Sequence, residues 1–203
     1  MTEQEIRRVA EVVAEVERKT VGEIVPVVVK RSDDYPDASW RIAVTIALMA
    51  AFGLYAIRPD LEPIYYLWIQ LPALFAGFLL GSVPGIQRLF LNREKMAEEV
   101  EQRAVEGFHA LQLHASKGRT GIMILVSRLE RQAVVLADVG ISANVAPGTW
   151  DGVVARLIDR IKADQLTEGL CVAVQECGRI LAEKFPATED DVNELPNQPV
   201  IED

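Results

Sequence analysis

Polar and apolar positions alternate along this chain with two periods, one helical and one of strands, and in the middle the alternation disappears. In TEQEIRRVAEVVAEVERKT, Ile6, Val9, Val13 and Val16 recur at helical spacing. Thr2 followed three residues later by Glu5 is a capping-box pattern, so a helix starts there and ends before Gly22. IVPVVVK, residues 24–30, is a β-branched run that predicts a strand, and its Pro26 points to an edge position or a bulge. Residues 91–118 carry Met96, Val100, Phe108 and Leu111 on one face, which predicts a long helix closed at Gly118. GIMILVS and QAVVLAD then predict two strands, residues 121–127 and 132–138, joined as a hairpin through residues 128–131. Pro147 and Gly148 lead into a helix over about residues 149–163, and Thr167 caps a last helix that runs to about Phe185.

The middle of the chain reads differently. Residues 42–57 and 64–87 are uncharged and apolar without alternation, and only RPDLEP separates them. At about 1.5 Å per residue they span roughly 24 and 36 Å, against a hydrocarbon core of about 30 Å. Arg41 closes the shortfall of the first by extending its charged head toward the interface. Trp40 at one end and Tyr55, Tyr65, Tyr66 and Trp68 at the other stand where an aromatic belt would. Two buried helices of a soluble core would demand more surrounding chain than remains. Small residues recur every four positions on both segments, Ala43, Ala47 and Ala51 on the first and Ala73, Gly77, Gly81 and Gly85 on the second. These rows predict close packing within the hairpin, with homo-oligomerisation through Gly77 and Gly81 as the sharper alternative. Pro72 is expected to kink the second helix and Pro84 to end or bend it. Lys30, Arg31, Arg41, Arg88, Arg93 and Lys95 lie on the side of the termini, while the turn offers Arg58 alone, which places both termini in the cytoplasm.

The chain of 203 residues has a formal net charge of −9. Much of that charge sits after Lys184, in Glu189, Asp190, Asp191, Glu194, Glu202 and Asp203, and reads as a solvated disordered tail. An acidic balance argues against nucleic acid as a partner. Cys171 and Cys177 are six apart in a helical pattern, on different faces, and read as small buried residues. The first 20 residues are charged and amphipathic, unlike a signal peptide. A strand at residues 24–30 could not bury its apolar run alone, so it shares a sheet with the later strands. The expected organisation is a split soluble α/β domain over residues 1–37 and 89–185, a small helix-covered sheet sandwich. A two-helix transmembrane hairpin over residues 38–88 interrupts it, and an acidic disordered tail over residues 186–203 follows.

ERKTVGEIVPVVV, then a long helix, then RTGIMILVSRLERQAVVLADVGI and TWDGVVARLIDRIKADQLTEGLCVAV together resemble the TPM domain family of bacterial membrane-associated and thylakoid-lumen proteins. The resemblance covers about residues 2–30 and 100–184. Family members usually carry Asp-Asn-Gly before the second strand and Gly-Tyr-Gly after the third, where this chain has Arg119-Thr120-Gly121 and Asp138-Val139-Gly140. The resemblance implies calcium binding and acid phosphatase activity, as linked to some relatives, and LemA-type membrane proteins as partners.

Asp138, at the end of the third strand, and Asp151, opening the next helix, are the candidate calcium ligands, with Asp33, Asp34 and Asp37 after the first strand as further carboxylates. Against them stands the plainer reading of a solvated loop and a favourable charge at a helix start. His109 and His114 are five apart, which does not suit the pairing of a zinc helix, and they read as surface or structural residues. Ser116, Lys117 and Gly118 form no phosphate-cradling loop, and no nucleophile elbow is present. Lys117, Arg119, Arg128 and Arg131 could instead meet anionic lipid headgroups. No catalytic set emerges. The expected function is a membrane-tethered noncatalytic protein-interaction module of the bacterial inner membrane, multi-pass and with its soluble domain cytoplasmic, serving maintenance or assembly of membrane complexes. The alternative is a calcium-dependent phosphatase acting on phosphate esters.

Overall fold

The computed structural model describes residues 1–116, 118–188 and 195–202. The chain divides into two compact units, residues 1–32 with 96–203 and residues 33–95.

In the first unit, α1 (Glu3–Glu17) opens on the expected capping box: the Glu5 N–H donates to Thr2 Oγ1 at 3.3 Å and the Thr2 N–H donates to Glu5 Oε2 at 2.6 Å. β1 (Glu23–Val29), β2 (Gly121–Ser127), β3 (Gln132–Ala137) and β4 (Val200–Glu202) form one mixed sheet in the order β3-β2-β1-β4. β1 runs parallel to β2, Ile24 opposite Ile122, while β2 and β3 form the antiparallel hairpin. The strand before the apolar hairpin therefore does share a sheet with the strands after it.

Strand periodicity assigns the faces. Ile24, Val28, Ile122, Ile124 and Val126 point to one side, where Val9, Val13 and Val16 of α1 meet α8 (Asp151–Lys162) and α9 (Leu166–Lys184) through Val153, Leu157, Leu170, Val174 and Leu181. Val25, Val27, Val29, Met123 and Leu125 point to the other, where Val100, Ala104 and Phe108 of α6 (Arg93–Ala110) cover them. Both β1 and β2 are buried along their whole length, which is why they read as continuous apolar runs. Each such Val, Ile or Leu contributes about 1.5–3 kcal/mol by leaving water. Cys171 and Cys177 are buried free thiols in the first layer, and burial pushes the Cys177 thiol up to about 12.

Several expectations change. The final residues are not wholly outside the fold: Val200 pairs with Val27, the Lys30 N–H donates to Glu202 O at 3.1 Å, and Arg103 ion-pairs with Glu202. An exposed strand edge on β1 is a row of unpaired donors and acceptors, and Val200 brings an apolar side chain onto the second core. Glu189, Asp190, Asp191, Glu194 and Asp203 lie outside the described residues. Pro26 sits inside the sheet rather than on its edge, just before the Val27–Val29 section that pairs with β4, so its missing N–H leaves no β4 acceptor without a donor. Thr167 does not cap α9. Gln165 holds that position without a side-chain bond, and the Thr167 hydroxyl donates to Glu5 Oε1 at 3.0 Å.

The second unit is a helical hairpin. α2 (Pro36–Ile57) starts six residues before the apolar run, with Pro36 in the first turn where its missing N–H costs nothing. At 22 residues it reaches about 33 Å. The second leg is broken into α3 (Pro63–Trp68) and α4 (Gln70–Gly81) at Ile69. Pro72 is the cause, since it cannot donate to the Trp68 carbonyl. Ser82 ends α4, and α5 (Pro84–Leu89) begins afresh at Pro84. The small-residue rows meet: a Cβ on Gly77 would lie 2.7 Å from Ala43 Cα and one on Gly81 2.9 Å from Ser39 Cα. Ser39 Oγ also donates to the Gly81 carbonyl at 3.0 Å. Both glycines are thus spent within the hairpin. Its outer surface is apolar and exposed, including Met49, Phe52, Leu71 and Phe75.

Candidate functional site

Left-handed backbone and a half-buried ion pair occur together at the meeting of α6, β2 and β3. Gln112, after α6, has φ 54°, and Arg119, before β2, has φ 58°. The left-handed conformation costs a residue with a Cβ about 1–2 kcal/mol, and such strain gathers where a fold must aim side chains. Gln112 ends the helix that periodicity extends to Gly118, and a 3-10 turn, Leu113–Ala115, brings the chain back. Ser116 Oγ then accepts from the Thr120 N–H at 3.2 Å, and Thr120 Oγ1 donates to Val21 O at 3.0 Å, which fixes the entry to β2.

Asp138 follows β3 and caps α7 (Val139–Ser142), its Oδ1 accepting from the Val139 N–H at 2.7 Å. Arg119 grips the same carboxylate with two bonds, Nε to Oδ2 at 2.6 Å and Nη2 to Oδ1 at 2.8 Å. The side chain of Asp138 is buried while that of Arg119 is 49% exposed. Arg119 is the main reason the carboxyl titrates below the usual range for Asp; burial opposes the shift, and the Val139 N–H and His114 add to it. Gly140 completes the lock, because a Cβ there would lie 2.5 Å from the carbonyl oxygens of both Gly118 and Arg119.

Calcium does not fit this arrangement. The ion takes six to eight oxygens, yet both oxygens of Asp138 are already used by a guanidinium. Asp151 stands in the exposed first turn of α8. Asp33 accepts from the Tyr35 N–H at 3.2 Å and Asp37 pairs with Lys95 at 3.3 Å, both within the helical-hairpin unit. Among the described residues no group of three or more His, Cys, Asp or Glu side chains is placed to hold a metal ion. Arg119, read from sequence as a candidate lipid contact, is committed to Asp138, and Lys117 lies outside the described residues.

Above the ion pair lies a cleft of about 270 Å³, walled by Val105, Phe108, Leu136 and Val139 and edged by His109, His114, Arg119 and Asp138. Val105 and Val139 are exposed. The two histidine rings lie 5.2 Å apart, centre to centre. Their meeting was not legible, because on an unbroken helix a spacing of five separates them and nothing marks Gln112 as a helix breaker.

Comparison with known proteins bears on fold alone. No family model and no curated protein matches the sequence. The chain is similar in structure to the BA42 protein from the psychrophilic bacterium Bizionia argentinensis, solved by NMR, with TM-score 0.63 and 20% identity over 99% of this chain and 94% of that one. That likeness supports the mixed α/β architecture described above.

Proposed function

We propose that this protein is a membrane-tethered, noncatalytic interaction module: a TPM-like α/β domain held at the bacterial inner membrane by its helical hairpin, with the domain and both termini cytoplasmic. The reading is carried by one observation. α2 and the residue 63–81 leg are long and apolar, with mean hydropathies of 1.7 and 1.5, and only 17% and 11% of their apolar windows are buried. Core helices of a soluble protein hide such surface; here Trp40, Phe52, Trp68 and Phe75 face outward. In water, each Å² of that surface left unburied forgoes about 25 cal/mol. Lipid tails remove the cost.

Ring contacts support the same placement, Trp40 with Phe78 at 5.1 Å and Tyr55 with Tyr66 at 5.7 Å, one pair toward each end of the hairpin. The noncatalytic part of the reading rests on Asp138, the acid best placed for chemistry, being engaged by Arg119. The partner class that the sequence resemblance suggests is a LemA-like membrane protein. Fractionation tests the tether: the chain should stay with membranes through an alkaline carbonate wash, and a chain that is monodisperse in buffer without detergent refutes it. Crosslinking in intact cells tests the partner class, since failure to recover a specific membrane-protein adduct through the α/β domain would argue against an interaction role.

A further inference from the structure

The chain contains two histidines in 203 residues, and the fold brings both into one cleft. His109 belongs to the last turn of α6 and His114 to the 3-10 turn after it. Gln112 reverses the chain between them through its left-handed backbone, a conformation glycine would adopt at less cost. The ring centres come to 5.2 Å with planes inclined at 56°.

That spacing has a chemical meaning. A zinc ion sits about 2.0–2.1 Å from each imidazole nitrogen, hence about 3.2 Å from each ring centre, and two such rings at a tetrahedral angle have centres about 5.2 Å apart. His114 Nδ1 is buried and finds no hydrogen-bond partner among the described residues. A buried polar nitrogen without a partner calls for an explanation, and a coordinated ion supplies one. The geometry points to a binding site for a borderline divalent transition metal, with His109 and His114 as its protein ligands.

Imidazole selects zinc, copper or nickel over calcium or magnesium. The carboxylate of Asp138 edges the same cleft and covers the guanidinium of Arg119, so the positive charge of that side chain is offset where the ion would sit. Two protein ligands leave open coordination positions, which water fills. The site is therefore exchangeable rather than structural. This inference is independent of the membrane tether and of any partner.

Zinc chloride titrated calorimetrically into the tag-free full chain in mild detergent tests it, beside His109→Ala, His114→Ala and Asp151→Asn. One zinc per chain, displaced by nickel but not by calcium, is expected. Each histidine substitution should weaken binding at least tenfold, since even outer partners of a metal ligand are worth that much; Asp151→Asn should leave it unchanged. His114 is half-buried, so circular dichroism must show a folded variant, and the exposed His109→Ala decides the matter if it does not. Absence of saturable binding, or binding that survives substitution of either histidine in a folded variant, overturns the site.

Discussion

Replacing Arg119 by Met is the sharpest test of how the cleft is held together. The substitution removes two charge-assisted hydrogen bonds from a carboxylate that, among the described residues, keeps only the Val139 N–H. Bonds to charged groups are worth about 1.5–3 kcal/mol each. The Arg119 side chain is 49% exposed and water serves it in either case, so the magnitude comes from the buried carboxylate it leaves behind, for which losing a partner costs about 1–3 kcal/mol. In native-state hydrogen exchange on the full chain in mild detergent, amides of Ile122–Val126 should lose about 5- to 140-fold of protection. The sign with pH follows from Asp138 titrating low in the folded chain. A depressed carboxylate stabilises above its unfolded pKa, about 3.9, and that contribution disappears as pH falls through the lower folded value. The gap between wild type and variant, compared at equal pH, should therefore close under acid conditions. A variant indistinguishable from wild type near neutrality, or a gap unchanged in acid, refutes the ion pair as the lock.

Other expectations follow from close contacts. A Cβ on Gly178 would collide with Val16 where α9 crosses α1, so Gly178→Ala should lower the urea midpoint by the equivalent of about 1–3 kcal/mol, and Val16→Ala in the same chain should recover part of it. Gly81→Leu should force α4 from Ser39 and speed proteolysis of the residue 58–62 turn in membranes, with unchanged resistance counting against the packed hairpin. Truncation after Pro199 should expose the amides of Val28 and Lys30 to exchange while sparing β3, because the even-numbered N–H groups of β1 face β4, as Lys30 faces Glu202 O, and among the described strands β4 pairs with β1 alone. Calcium should leave the melting temperature of the wild-type chain unmoved; stabilisation by calcium would show that Arg119 yields Asp138 to the ion.

What the sequence made legible is what repetition encodes. The capping box at Thr2, the buried runs of β1 and β2 and the small-residue rows of the hairpin each repeat a local rule several times, so tertiary structure had only to agree with them. Pairings across long separations carry no such signal. β4 is three residues in a segment whose charge argues for solvent, and it orders because Val200, Glu202 and Arg103 suit an edge that no local rule reveals. The start of α2 at Pro36 extends past charged Asp37 and Arg41, which hydropathy alone excludes.

The same limit explains why an acid at a strand end reads as a metal ligand while the fold gives it to a guanidinium. Asp138 offers the same carboxylate to calcium or to a guanidinium, and nothing on its own segment decides between them. The choice is made 19 residues earlier, at Arg119, whose left-handed backbone swings a fixed positive charge onto the acid. A guanidinium with two parallel N–H bonds links the entry of β2 to the exit of β3 much as an ion would, yet it is tethered to the chain and keeps its charge. Gly140 is demanded by the same arrangement, since the carbonyls of Gly118 and Arg119 leave no room for a side chain there. A permanently linked frame of this kind keeps His109, His114 and the apolar walls of the cleft in register without a bound cation, so any ion held by the histidines is free to come and go while the frame stays intact.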